Sequence, residues 1–362
     1  MIKLDDFVIN EIVPNLAEDS LGFLELGGRK AFHSQGFYGQ GMVCAVVDTG
    51  VNPDHPELKG RVLKGKSFCS YTTSTNDDHG HGTHVAGSIA GLNVGHAPQG
   101  EILPVKVLSG GGFGNEEDII KALEWLDTWR HPITGERVDM VNMSLSNTES
   151  GWSEFMQRFQ DAVDTLVEHG TIVFCSAGNT GKEQVRYPAG FDSVVTVGAV
   201  DFNKDIAMFS TQGNHVDICQ VGVNVISAWF KGGYAVMSGT SMSTPNGVGV
   251  GMLIGCKYKA LFDVPMPEPV FYEVVKFNTK DLGIEGVDKV YGAGFFTLQP
   301  LELSIWLING SKTMVVNGEN KEMDVPAEIE DGRFDIPFRY IGQETGAKIK
   351  WDAEHSSGNL RY

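Results

Sequence analysis

Five short apolar runs, separated by amphipathic stretches, constrain this chain more than any other feature. Residues 42–47, Met-Val-Cys-Ala-Val-Val, run into Asp48 and Gly50, and similar runs follow at 102–108, 140–143, 171–174 and 194–200. Continuous apolar runs of this length read as strands buried on both faces. Helix-like stretches lie between them, at 84–92, 116–129, 153–169 and 241–253. In the second of these, Ile119, Ile120, Leu123 and Leu126 recur at a helical period while Glu117, Asp118, Lys121 and Glu124 fill the opposite face. Acidic residues crowd its first turn, where the helix dipole favours them. Alternating strand and helix predicts an α/β fold, a mainly parallel central sheet with helices on both faces. The pattern changes after about residue 300, where turn signals (INGS, VNGEN, EDGR) punctuate short strand-like pieces. The expected division is an N-terminal extension at 1–18, a main domain at 19–300 and a small β-rich module at 301–362.

Charge narrows the partners. Lys plus Arg is 28 against 46 for Asp plus Glu, a formal net charge of −18, which disfavours nucleic acid and anionic membrane surfaces. The five cysteines, at 44, 69, 175, 219 and 256, show no metal-type spacing and read as small buried thiols in a reducing compartment. A single disulfide stays open at this level. The N-terminus, MIKLDDFVINEIVPN, has neither a basic start nor a long apolar core, so it does not read as a secretory leader. The expected location is the cytoplasm.

Three segments carry chemistry. VVDTGVNPDHPEL places Asp48 at a strand end, DDHGHGTHVAGSIAG places His81 on a glycine-flanked turn opening a helix, and SGTSMSTP places Ser241 at another helix start. A nucleophile, a base and an orienting carboxylate are what acyl transfer from a peptide requires. Taken singly, Asp48 could cap a turn, His81 could be a surface histidine and Ser241 an N-cap. Asp54, His55 and Glu57 suggest either a metal cluster or a polar loop, and His84 suggests a structural histidine.

These segments, in the order Asp, His, Ser, resemble the subtilisin-like serine protease family from about residue 19 to residue 300. The resemblance implies a three-layer α/β fold and an endopeptidase in which Ser241 is the nucleophile, His81 the base and Asp48 its orienting carboxylate. It assigns Asn179, in FCSAGNTG, to the oxyanion hole with the backbone N–H of Ser241. It also implies that peptide or protein substrates bind as an added strand along Gly110, Gly111 and Gly112 and along Ser144, Leu145 and Ser146. Ala177, Gly178 and Arg186 would line the pocket for the residue before the scissile bond. An arginine there points to an acidic preference, or else turns out to solvent.

Departures matter as well. The chemistry requires no cofactor, but many family members bind structural calcium in a loop after the catalytic histidine. Here that loop, GLNVGHAPQG, is shortened, leaving a weaker calcium site near Tyr187–Asp192 as the alternative. The short N-terminal extension resembles the intracellular branch, where such a segment blocks the cleft until cut, and Ile12-Val13-Pro14 is the expected blocking motif. Residues 308–352 resemble the small repeat named after the N-terminal domain of copper amine oxidases. That similarity implies an interaction module, one that could join protomers or assembly partners, and no copper site. The competing reading is an assembly protein that keeps a protease fold for binding or a single self-cleavage.

Overall fold

The computed structural model describes residues 1–16, 21–147, 152–184 and 186–298, and beyond these only short stretches between 305 and 361. The chain separates into two units: Met1–Tyr258 with Pro265–Gln299, and Lys259–Val264 with Pro300–Tyr362. The first unit begins with β1 (Ile2–Lys3), β2 (Val8–Val13), α1 (Gly22–Leu26) and α2 (Arg29–His33). It continues with β3 (Val43–Asp48), β4 (Lys66–Ser67), α3 (His81–Ala90), β5 (Glu101–Lys106), β6 (Phe113–Gly114), α4 (Glu116–Thr128), β7 (Met140–Met143) and β8 (Ser146–Asn147). After these come α5 (Glu154–Glu168), β9 (Ile172–Ser176), β10 (Val195–Val200), β11 (Ile218–Val221), β12 (Val225–Ala228) and β13 (Tyr234–Ser238). The remaining elements are α6 (Thr240–Phe262), α7 (Glu268–Phe277), β14 (Thr279–Lys280) and β15 (Phe295–Phe296).

Nine strands form the central sheet in the order β14-β15-β11-β10-β9-β7-β3-β5-β4. Every pairing is parallel except that of β14 with β15. The expected apolar runs are its central strands, each buried along its whole length. Alternate side chains divide between the two faces. Ala45, Val47, Val141, Met143 and Val173 join Ile119, Leu123, Phe159 and Val163 of α4 and α5 in one core. Met140 and Phe174 point the other way, toward Gly251 and Gly247 of α6, and Phe174 stacks edge-on with Phe271 of α7 at 5.8 Å.

The helices start where their caps dictate. Asn115 accepts from Glu117 N at 2.9 Å ahead of α4, and Ser153 accepts from Met156 N at 3.3 Å ahead of α5. Helix α6 is mostly apolar or small, with Asn246 and Lys257 as exceptions among its first nineteen residues, all of them buried, the pattern of a helix running through a core.

Two features were not anticipated from sequence. The N-terminal extension contains two strands, and an antiparallel three-stranded sheet, β12-β13-β2, lies beside the main one. Cys44, Cys69, Cys175 and Cys219 are free thiols. No helix of the described residues is long and apolar enough to cross a membrane.

The second unit contains antiparallel hairpins. Strands β16 (Ile305–Leu307), β17 (Thr313–Val316) and β18 (Glu319–Glu322) form one sheet, β19 (Glu328–Glu330) pairs with β20 (Arg333–Asp335), and β21 (Lys348–Asp352) pairs with β22 (Ser357–Arg361). Pro300, the INGS turn and His355 lie outside the described residues.

Candidate active site

The carboxyl end of β3 presents Asp48, fully buried, with both carboxylate oxygens 2.9 Å from Nδ1 of His81. The N–H of Thr49 also donates to Asp48 Oδ1 at 2.7 Å. His81 is the first residue of α3, and the buried carboxylate of Asp77 fixes that helix start. Asp77 Oδ1 accepts from Thr49 Oγ1, His79 N and Gly80 N, each at 2.9 Å; Oδ2 accepts from Thr83 N at 2.9 Å and Thr83 Oγ1 at 2.6 Å. One carboxylate therefore ties the strand end to the helix start. Gly82 permits the approach, since a Cβ there would lie 2.1 Å from the Gly50 carbonyl oxygen. His84 is structural: its Nε2 donates to Val225 O at 3.2 Å and Ala235 O at 3.1 Å, and burial pushes it down to about 3, leaving it neutral.

Ser241 enters at the second position of α6, fully buried. Its Oγ lies 3.5 Å from Ser144 O, and Nε2 of His81 is buried without a hydrogen-bond partner. Asn179 is held by its own oxygen, which accepts from Thr240 N at 2.8 Å and Thr240 Oγ1 at 2.9 Å. Its Nδ2 faces the cleft as a donor, where the carbonyl of Asp6 accepts from it.

The chain's own N-terminus fills that cleft. β1 lies between β6 and β8, antiparallel to both, with Ile2 opposite Gly114 and Asn147 and Lys3 opposite Phe113 and Ser146. Leu4 N then donates to Gly112 O at 3.0 Å. Asp5 turns into a pocket where Ser146 Oγ donates to its Oδ1 at 2.6 Å and Ser176 Oγ to its Oδ2 at 3.2 Å, with the charge of Arg186 nearby. Burial still holds the Asp5 carboxyl above the usual carboxylate range, against the lowering by Ser146, Arg186, Ser176 and Lys3. Asn179 Nδ2 donates to the carbonyl of Asp6, and the Phe7 ring sits 5.0 Å from that of His81.

Several expectations need correcting. Pairing on the first edge falls on Gly112–Gly114; Gly110 and Gly111 instead occupy a turn closed by Gly112 N to Ser109 O at 2.8 Å. On the second edge it falls on Ser146 and Asn147; the Leu145 side chain is buried in the core and Ser144 Oγ donates to Ser241 O at 3.2 Å. Ala177 is buried in a core cluster, and Gly178 (φ 100°) borders Arg186, whose Cγ lies 3.5 Å from where a Cβ on the glycine would stand. Ile12 and Val13 do not block the cleft. They lie on β2, opposite Ala235 and Tyr234, while residues 2–7 occupy the cleft. Sequence reading missed Asp77 and Ser176; the DDHGHG run was the available signal for Asp77, and nothing local marked Ser176.

Neither place considered for calcium shows a converging set of carboxylates among the described residues. Among the described residues no three His, Cys, Asp or Glu side chains converge as a metal-binding group. Carbonyls of the 186–189 loop are already engaged, by Gly190 N, Asn147 N, Phe191 N and Thr196 Oγ1 in turn. After α3, guanidinium groups occupy the loop carbonyls instead: Arg29 donates to Asn93 O and Gly95 O at 2.9 Å, and Arg61 to Ala90 O and Glu57 O. The Glu57 carboxylate accepts from Asn93 N, Asn93 Nδ2, Val94 N and Tyr234 Oη, and His55 Nε2 donates to Gly233 O.

Comparison with known proteins gives the family. Residues 302–358 match the copper amine oxidase N-terminal domain model. The chain is 39% identical over 231 residues to a thermostable alkaline protease of Halalkalibacterium halodurans, covering 62% of this chain and 60% of that protein. It is 37% identical over 237 residues to subtilisin DY of Bacillus licheniformis, covering 63% and 81%. With an intracellular serine protease of Paenibacillus polymyxa it shares 34% over 278 residues, covering 73% and 81%. Residues 39–294 match the subtilase family model, so the chain belongs to the subtilase family of serine endopeptidases.

Proposed function

We propose that this chain is a serine endopeptidase with a preference for an acidic residue before the scissile bond, held latent by its own N-terminal segment. Ser241 Oγ attacks the peptide carbonyl, and His81 Nε2 takes its proton. Nδ1–H, donating to Asp48, fixes the tautomer that leaves the Nε2 lone pair available. The tetrahedral oxyanion is met by Asn179 Nδ2 and the backbone N–H of Ser241, at the N-terminal end of α6. His81 then returns the proton to the leaving amine, and water repeats the cycle on the acyl-enzyme.

The position of Asp5 carries the acidic preference: its carboxylate is buried between Ser146 and Ser176, on the arginine side of the cleft. The same segment supports latency. Asp5 fills the pocket, yet Asn179 holds the carbonyl of Asp6, one residue further on, so the bond after Asp5 is out of register with the oxyanion donors. The side chains of Val8, Ile9 and Ile12 on β2 are exposed, so the segment downstream is held chiefly by backbone pairing. Buried free thiols and the likeness to an intracellular serine protease support a reducing, cytoplasmic location.

The test is cleavage of matched peptides bearing Glu, Asp, Phe or Lys before one bond, by the intact chain and by a form lacking residues 1–18. The expected result is faster turnover in the shortened form, confined to acidic peptides and abolished by Ser241→Ala. A clear Phe preference sinks the acidic reading; unchanged turnover on shortening sinks latency.

A further inference from the structure

The contacts of Asp5 are uneven in a way that reports on the pocket itself. Among the described residues its carboxylate receives two hydrogen bonds, both from neutral hydroxyls, Ser146 at 2.6 Å and Ser176 at 3.2 Å. Arg186 acts on it through space, and Arg186 Nε is buried with no hydrogen-bond partner. A guanidinium offers a fork of donors that matches a carboxylate, and a buried donor left unmatched is costly. Among the described residues, the occupant therefore stops short of the guanidinium of Arg186.

From this we infer that the pocket is built for glutamate, and that Asp5 is an occupant one methylene too short. This rests on the acidic reading above and adds the choice between the two acids. An added methylene extends the side chain by about 1.5 Å, one carbon–carbon bond. That extension carries the carboxylate past the two hydroxyls toward Arg186, where charge-assisted hydrogen bonds replace a through-space attraction. Ser146 and Ser176 then line the wall of the pocket, and Arg186 is the specificity-determining residue at its end. The shorter acid suits a segment that must be displaced, because it blocks the pocket without engaging the guanidinium.

The experiment uses the full chain carrying Asp5→Ala, which empties the pocket, with and without Arg186→Met. Peptides differ only in having Glu, Asp, Gln or Phe before the scissile bond. Glu is expected to exceed Asp by at least about tenfold in kcat/KM, the size of a one-methylene discrimination. Arg186→Met is expected to erase that margin. Calorimetric binding of the same peptides to the chain with Ser241→Ala and Asp5→Ala gives the ranking independently of turnover. Asp equal to or better than Glu, equal or absent binding of both, or a Glu margin that survives Arg186→Met overturns the inference. Acidic peptides preferred without a Glu margin leave the acidic reading standing; Phe preferred throughout removes both.

Discussion

Asp77 is the residue whose replacement tests most sharply how this site is assembled. Asp77→Asn preserves shape and one acceptor oxygen, so Thr49 Oγ1, His79 N and Gly80 N keep their partner. The other oxygen becomes an amide nitrogen facing Thr83 N, donor against donor, so both bonds donated by Thr83 are lost and only a neutral bond from the amide to Thr83 Oγ1 can replace one of them. Hydrogen bonds to a charged group contribute roughly 1.5–3 kcal/mol each and a neutral one about 1 kcal/mol, so the expected destabilisation is about 2 kcal/mol at the lower end. It falls on the turn that aims His81 at Asp48. A misplacement of that base by about 1 Å costs on the order of 10²-fold in rate. Urea unfolding in a Ser241→Ala background measures stability without self-digestion, and peptide turnover measures kcat and KM separately. Thr83→Ala should lower stability too, and the double variant should lose clearly less than the sum, because both changes cut the bond from Thr83 Oγ1 to Asp77. A loss under about 1 kcal/mol with normal kcat, or additive single effects, would refute the view that one carboxylate couples strand end to helix start.

Asn179→Ala should lower kcat by about 10²–10³ with KM little changed, as removal of one such donor does in subtilisin; a pure KM effect would place Asn179 in ground-state binding instead. Docking of the N-terminal segment should weaken as pH rises. The docked Asp5 carboxyl lies above its ordinary value of 3.8, so docking is strongest below that value and declines through the raised one. The activity of the intact chain relative to an Asp5→Asn variant should therefore climb with pH from about 4, a comparison that cancels every pH effect common to both; a flat ratio would contradict it. Chelators should leave thermal stability unchanged, whereas Arg29→Met should cost about 1–2 kcal/mol through its two carbonyl bonds. A chelator-dependent fall in unfolding temperature would show that calcium, not arginine, holds the loop after α3.

The sequence by itself determined the layers of this protein. Short apolar runs such as Val43–Asp48 have only one stable home, a strand covered on both faces, and the helical period of 119–126 can bury its apolar side only against such a sheet. The glycine-flanked segments around Asp48, His81 and Ser241 likewise carried the family resemblance locally. What occupies the cleft could not be read that way. MIKLDD has too few apolar residues to mark a strand, and becomes one only because β6 and β8 expose unpaired edges on either side. Ser176 ends a strand like any other small residue until Asp5, 171 positions away, is folded against it. Local composition fixes how a segment prefers to fold. Which pocket it fills depends on contacts between distant residues, and only tertiary structure decides those.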